Sequence, residues 1–312
     1  MDNSKEEMAK GKTVEMGRAF FDTPSKEFTV FDAPGHKNYV PNMIKGASLA
    51  DYAGLVISAR KGEFEAGFER DGQTREHVHL AKCLGVQQLV VVVNKMDEGT
   101  VQWKAERYND IKAAVQPFLI QTGFTEDQLH WVPISGITGD NIVERVKPET
   151  CSWYEGPSLT ELLENLPLAK RDSKAALRLP ILDKMIDQGS RYLFGKIEQG
   201  TVALGDKCMV APEYNATQIA VIYNSKNQEV PYARTGENVK LKLLHLENDG
   251  SVNPGDVLCS QDAIVPTAEV IECEVEILEL LTYKPIFCRG YACMLHMHTL
   301  AEECIVKEIL TA

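Results

Sequence analysis

The chain has 312 residues, 44% of them hydrophobic and 25% charged, with a formal net charge of −12. That length accommodates two or three domains, and the composition belongs to an ordinary globular protein rather than a fibrous or disordered one. The acidic balance opposes general adhesion to nucleic acid without forbidding a local docking face on a ribonucleoprotein, and the apolar run Leu89–Val93, broken at Asn94, is too short for a membrane span.

From the N-terminus, Met1–Lys12 has no apolar core and does not read as a signal peptide. Thr13–Phe21 predicts a strand, and the turn Asp22-Thr23-Pro24-Ser25 returns the chain into a second strand, Glu27–Phe31. Three further apolar runs, Gly54–Ser58, Leu89–Val93 and Trp131–Ile134, are separated by helical stretches at Gln73–Leu84 and Val101–Gln121, and another helix is expected over Tyr39–Ala50. Strands separated by helices of this length predict a parallel, doubly wound α/β sheet. A last helix, Ser158–Leu166, is ended by Pro167, and the charged stretch Lys170–Lys174 reads as a linker. Beyond Leu177 the runs Arg178–Asp183, Tyr192–Glu198, Lys207–Val210, Thr217–Tyr223 and Val239–Leu243 are short and broken by glycine turns, which predicts a small β-barrel. Glu269–Leu278 and Tyr291–Thr299 predict further strands, too few for a second complete barrel. The expected domains are residues 1–168, 169–265 and 266–312. The eight cysteines form no Cys-x-x-Cys pair, so reduced thiols and a cytoplasmic setting are expected.

Two motifs carry chemistry. In Asp32-Ala33-Pro34-Gly35-His36, a carboxylate at a strand end can hold Mg²⁺ through water. Gly35 lets the backbone approach a terminal phosphate and donate its N–H, and His36 can orient an attacking water or stabilise developing charge. In Asn94-Lys95-Met96-Asp97, the Asp97 carboxylate can accept from guanine N1–H and N2–H₂, a pair that adenine does not offer. The Lys95 stem can cover the base plane, and Asn94 can tie neighbouring loops together. Ser135-Gly136, after the fourth strand, can bring a backbone N–H to guanine O6. Thr13 can supply a hydroxyl to Mg²⁺ from a loop that orders with the γ-phosphate. His77 and His79 fall on different helix faces. His296 and His298 share a strand face without further metal ligands in sequence, and Cys288 and Cys293 read as packing residues.

With these residues in place the chain resembles the translational GTPases of the elongation factor 1-alpha family, and within them the GTP-binding subunits of eukaryotic peptide chain release factors. The resemblance runs through nearly the whole chain and is densest at Phe28–Asn42, Ile57–His77, Val91–Trp103 and Trp153–Leu159, with further matches at Leu179–Lys184, Gly195–Gly200 and Gly290–Thr299. Gly11-Lys12-Thr13, Ala59–Glu63 and Trp153-Tyr154 favour the release-factor branch over the tRNA-carrying one. Lys45 stands where the family usually has glycine. The resemblance implies a P-loop-NTPase-type sheet followed by two β-barrels, GTP/GDP and Mg²⁺ as ligands, and the class-I release factor and the ribosome as partners, with neither membrane nor DNA. It makes Thr13 and Asp32 the Mg²⁺-proximal residues, Gly35 the γ-phosphate contact and His36 the catalytic residue. Asn94, Lys95 and Asp97, backed by Ser135 and Gly136, would read guanine.

The family's phosphate loop, first strand and first helix would precede Met1, and its last barrel would run past Ala312. No Gly-x-x-x-x-Gly-Lys-Ser/Thr occurs in the 312 residues, so these residues by themselves are expected to bind GTP poorly and to hydrolyse it negligibly. Two alternatives stand beside the termination GTPase: a non-catalytic module that binds a release factor or ribosome, and a tRNA carrier like elongation factor 1-alpha.

Overall fold

The computed structural model describes residues 17–32, 50–68, 73–83, 85–169, 171–187, 189–244, 252–277, 280 and 283–311. Its contacts divide the chain into two compact units, Met1–Ala169 and Lys170–Ala312.

In the first unit, β1 (Gly17–Asp22) and β2 (Glu27–Asp32) form an antiparallel hairpin, in register from Gly17 opposite Asp32 to Asp22 opposite Glu27. The predicted turn closes it, with Thr23 N donating to Lys26 O at 2.8 Å, and Phe21 stacks on Phe28 at 4.8 Å. The next three strands, β3 (Tyr52–Ser58), β4 (Gln88–Asn94) and β5 (Leu129–Pro133), make a parallel sheet in sequence order. Four α-helices lie among the described residues of this unit: α1 (Glu63–Phe68), α2 (Gln73–Cys83), α3 (Ala105–Gln121) and α4 (Leu159–Asn165).

β4 is central because its sequence permits nothing else. Leu89–Val93 is apolar at every position, so both faces must be covered. Leu89, Val91 and Val93 pack with Met96, Trp103, Ile111, Val115 and Leu119, whereas Val90 and Val92 pack with Val132, Ile134 and Leu166. The alternation of strand side chains thus splits one apolar run between two cores. Helix α4 begins with a capping box. Ser158 Oγ accepts from Glu161 N, and Glu161 Oε2 accepts from Ser158 N at 3.0 Å. Its last carbonyls, Leu163 O and Leu166 O, accept from Lys26 Nζ, a cation at a helix C-terminus that also ties the β1–β2 hairpin to the helix.

The second unit opens with a closed barrel. β6 (Arg178–Asp187), β7 (Ser190–Lys196), β9 (Lys207–Ala211), β10 (Asn215–Tyr223), β13 (Asn238–Leu244) and β14 (Val257–Ser260) pair in the ring β10-β13-β7-β6-β14-β9, and β9 returns to β10. β8 (Thr201–Ala203) pairs with β12 (Tyr232–Arg234), and β11 (Glu229–Val230) extends the edge of β10. Leu179, Ile181, Ile219, Ile222, Leu241 and Leu258 fill the barrel. A side chain at Gly195 would put Cβ 2.5 Å from Pro180 O, so the close crossing of β6 and β7 needs glycine there. Beyond the barrel, β15 (Ala292–Met297) and β16 (Leu300–Ile305) form an antiparallel hairpin.

Several elements depart from the sequence reading. The helix expected from Val101 starts at Ala105, because residues 101–103 turn instead, with Gln102 and Trp103 at positive φ. The strand expected over Glu269–Leu278 is absent from 269–277: Val270, Ile271, Val275 and Ile277 are all exposed, and no described strand pairs with them. Alternation without a ladder partner does not make a strand. The helix expected over Tyr39–Ala50 lies outside the described residues apart from Ala50.

Candidate functional site

The loops after β4 and β5 meet at the C-terminal end of the parallel sheet, where open α/β sheets place ligands. Their meeting is fixed by one side chain. Asn94 Oδ1 accepts from Lys95 N at 2.7 Å and from Gly136 N at 2.9 Å, joining loops that are far apart in sequence. Backbone bonds reinforce the join: Ile134 N donates to Val93 O, and Met96 N to Ile134 O. Lys95 is held at φ 65°, a left-handed conformation that a non-glycine residue adopts only where the surroundings impose it. Here the fully buried Met96 side chain impose it, together with the Met96 carbonyl, which accepts from Trp103 N at 2.8 Å.

Asp97 follows this fixed turn. Its Oδ1 is buried and, among the described residues, has no hydrogen-bond partner. A buried carboxylate oxygen without a donor is costly, and a donor-bearing ligand would relieve that cost.

The Lys95 ammonium is not loose. It bonds Glu63 Oε2 at 2.6 Å, and the same carboxylate accepts from Ser58 Oγ at 2.7 Å and from Arg60 Nη1 at 3.2 Å. The Lys95 and Ser58 hydrogen bonds, in that order, are the main reasons that the Glu63 carboxyl is pushed down to about 2 from its ordinary 4.5. A folded-state pKa below the unfolded one means that the tie is fully present above about 4.5 and is lost as pH falls through about 2. The Glu63 carboxyl observed by NMR is therefore expected to titrate near 2. In Lys95→Ala its midpoint should move back towards 4.5, and an unmoved midpoint would remove the ion pair from this account.

Ser135 and Gly136 shape the second loop. Ser135 is fully buried; its N–H donates to Asp140 O, its carbonyl accepts from Gly139 N, and its Oγ accepts from Thr138 N at 3.2 Å. The two amides of the pair expected to bring a backbone N–H to guanine O6 are thus engaged within the protein, Ser135 with Asp140 and Gly136 with Asn94. Asn141, also fully buried, braces this loop by donating from Nδ2 to Pro133 O at 2.8 Å and accepting at Oδ1 from Val146 N at 3.1 Å.

The structure therefore gathers Asn94, Lys95, Asp97, Ser135 and Gly136 at one rim. Asp32 ends β2, whose hairpin is hydrogen-bonded as a sheet of its own. Thr13, Gly35 and His36 lie outside the described residues. Sequence reasoning missed Glu63 and Asn141 as supports. Glu63 sits within the Ala59–Glu63 stretch that carried the family resemblance, but nothing local pairs it with Lys95.

No helix among the described residues is long and apolar enough to cross a membrane, and no group of three or more His, Cys, Asp or Glu among them could hold a metal ion.

Comparison with known proteins gives the family and the fold. The family model of the elongation factor Tu GTP binding domain matches residues 1–188. The chain is 45% identical over 303 residues to a curated Candida maltosa protein named eukaryotic peptide chain release factor GTP-binding subunit, covering 97% of this chain and 42% of that protein. It thus spans less than half the length of such relatives. Among solved structures, the GTPase-like domain of S. cerevisiae Ski7, bound to GTP, superposes with a TM-score of 0.72 at 18% identity, covering all of this chain and 74% of that one. Translation elongation factor SelB from Methanococcus maripaludis, in complex with a GTP analogue, gives 0.70 at 20% identity, covering 98% and 62%. At such identities these two likenesses speak for the fold alone.

Proposed function

Because this chain belongs to the elongation factor Tu GTP-binding domain family, we propose that it is the nucleotide-reading part of a translational GTPase acting in translation termination. The observation that carries the reading is the buried Oδ1 of Asp97, unpartnered among the described residues, beside a loop pair locked by Asn94. Guanine N1–H and N2–H₂ are the donors that such a carboxylate lacks, and adenine cannot supply them. The Candida maltosa relative's name supports termination as the setting, with the class-I release factor and the ribosome as partners and the cytoplasm as the compartment.

Within this proposal GTP is the substrate. Asp97 reads the base, and the Lys95 stem, drawn to one side by Glu63, covers its plane. Gly35 gives its amide to the γ-phosphate, and His36 orients the attacking water or stabilises the charge that develops. Thr13 and Asp32 offer hydroxyl and carboxylate oxygens, the hard donors that suit Mg²⁺, which would neutralise phosphate charge when bound. The domain reading, a truncated GTPase domain over 1–168 followed by a β-barrel over 169–265 and a partial β-barrel over 266–312, is part of the same proposal.

The test is base selectivity measured by a method that registers weak complexes. Saturation-transfer NMR on this chain should show contact with GDP that excess ADP does not displace. Equal competition by ADP would end the guanine reading. Capture of aminoacyl-tRNA in preference to a class-I release factor would move the chain to the tRNA-carrying branch.

A further inference from the structure

The β15–β16 hairpin places two cysteines directly opposite each other. Its register pairs Cys293 with Cys304, and both are free thiols. Directly opposed residues of an antiparallel pair have Cα atoms roughly 4.5–5.5 Å apart, within the roughly 4.4–6.8 Å that a disulfide spans. Their side chains leave the same face of the ribbon, since opposed residues share a face. The bond therefore needs closure of the two Cβ atoms by no more than about an ångström, and no change of register.

Accessibility separates this pair from the other cysteines of the unit. Cys208 and Cys259 are buried in the barrel, and burial pushes the Cys208 thiol up to about 12. Cys293 is exposed and Cys304 half-buried. The remaining exposed thiols of the unit, Cys273 and Cys288, have no cysteine opposite them in a strand ladder. The hairpin is also held in place. Its Leu300 lies against Gly255, where a side chain would put Cβ 3.0 Å from Leu300 Cα, so the turn end rests on the loop before β14.

We propose that Cys293 and Cys304 form a reversible dithiol–disulfide site, oxidised by small-molecule disulfides such as oxidised glutathione. The exposed Cys293 thiolate attacks one sulfur of oxidised glutathione, forming a mixed disulfide and releasing one glutathione thiolate. The Cys304 thiolate then attacks the Cys293 sulfur, forming the intramolecular bond and releasing the second glutathione. Two electrons pass to glutathione, and the two thiol protons end on the two glutathione thiols that leave. In a reducing compartment the pair rests as thiols, and a rise in the oxidised pool closes it. The site lies in the second unit and does not depend on the nucleotide reading.

The test is equilibration of the full chain in redox buffers of reduced and oxidised glutathione, followed by acid quench, thiol labelling and non-reducing peptide mapping. Labelling at Cys293 and Cys304 is expected to fall together as the oxidised fraction rises, with a Cys293–Cys304 cross-linked peptide appearing in step and Cys208 and Cys259 unmodified. Cys304→Ser should lose the cross-link and accumulate the glutathione adduct on Cys293. Cys293→Ser should lose the cross-link and react more slowly, because Cys304 is less accessible. Both substitutions fall on a solvent-facing hairpin, and circular dichroism verifies that the barrel persists. A Cys288–Cys293 bond, glutathione adducts without a cross-link in the unsubstituted chain, or unchanged labelling would each overturn the proposal.

Discussion

Asp97→Asn is expected to weaken GDP binding by about 100-fold, roughly 2.7 kcal/mol, while leaving the fold intact. The reason is a reversal of polarity at one atom. The Asp97 carboxylate presents a buried Oδ1 that has no partner among the described residues, and guanine brings two donors to it. An asparagine turns at least one of its positions into an N–H₂ that faces a donor, so a hydrogen bond becomes a clash of like partners. Bonds to charged groups are also the stronger kind, so the loss exceeds that of a neutral pair. The same reversal has a positive counterpart. Xanthine carries a carbonyl where guanine carries its 2-amino group, and it should bind the asparagine variant better than guanine does. Titrating the parent chain and the asparagine variant with GDP and xanthosine diphosphate checks the whole argument, because a merely structural role for Asp97 would weaken both nucleotides alike. A GDP affinity reduced by less than about threefold would leave Asp97 without a part in base recognition.

Asn94→Ala is expected to open the site from within. Asn94 Oδ1 serves two backbone donors, Lys95 N and Gly136 N, and alanine leaves both without that acceptor. Losing the two bonds costs about 2 kcal/mol in local stability. It also removes one of the constraints on the left-handed turn at Lys95, a conformation that the free chain disfavours. Hydrogen exchange at the Lys95 and Gly136 amides should accelerate by roughly 30-fold, with little change in the second unit. Asn94→Asp keeps an acceptor oxygen in place and should restore most of the protection. If exchange at Gly136 is the same in the alanine variant as in the parent, Asn94 does not couple the two loops.

What could be read from the sequence follows how local each feature is. β4 was legible because an unbroken apolar run flanked by helices has one comfortable place, the middle of a parallel sheet. The hairpin turn at Asp22–Ser25 was legible because turn chemistry is settled within four residues. The short strands β8, β12 and β14 were not. Three or four residues carry too little pattern, and they are strands because distant segments supply their partners: β8 and β12 pair with each other, and β14 pairs with β6 and β9 of the barrel. The error over 269–277 has the same origin in reverse: the alternation is there, and no described strand pairs with it.

The site divides along the same line. By itself the sequence determined which residues are candidates for the chemistry, a carboxylate, an amide and a lysine at fixed spacing after an apolar strand, because that spacing and those functional groups are local and chemical. Only the tertiary structure decided that Asn94 grips Gly136, that Glu63 holds the Lys95 ammonium, and that Asp97 keeps an oxygen buried with no donor among the described residues. Those are relations between segments that neighbour each other only once the sheet has formed, and no window of sequence contains the packing that brings them together.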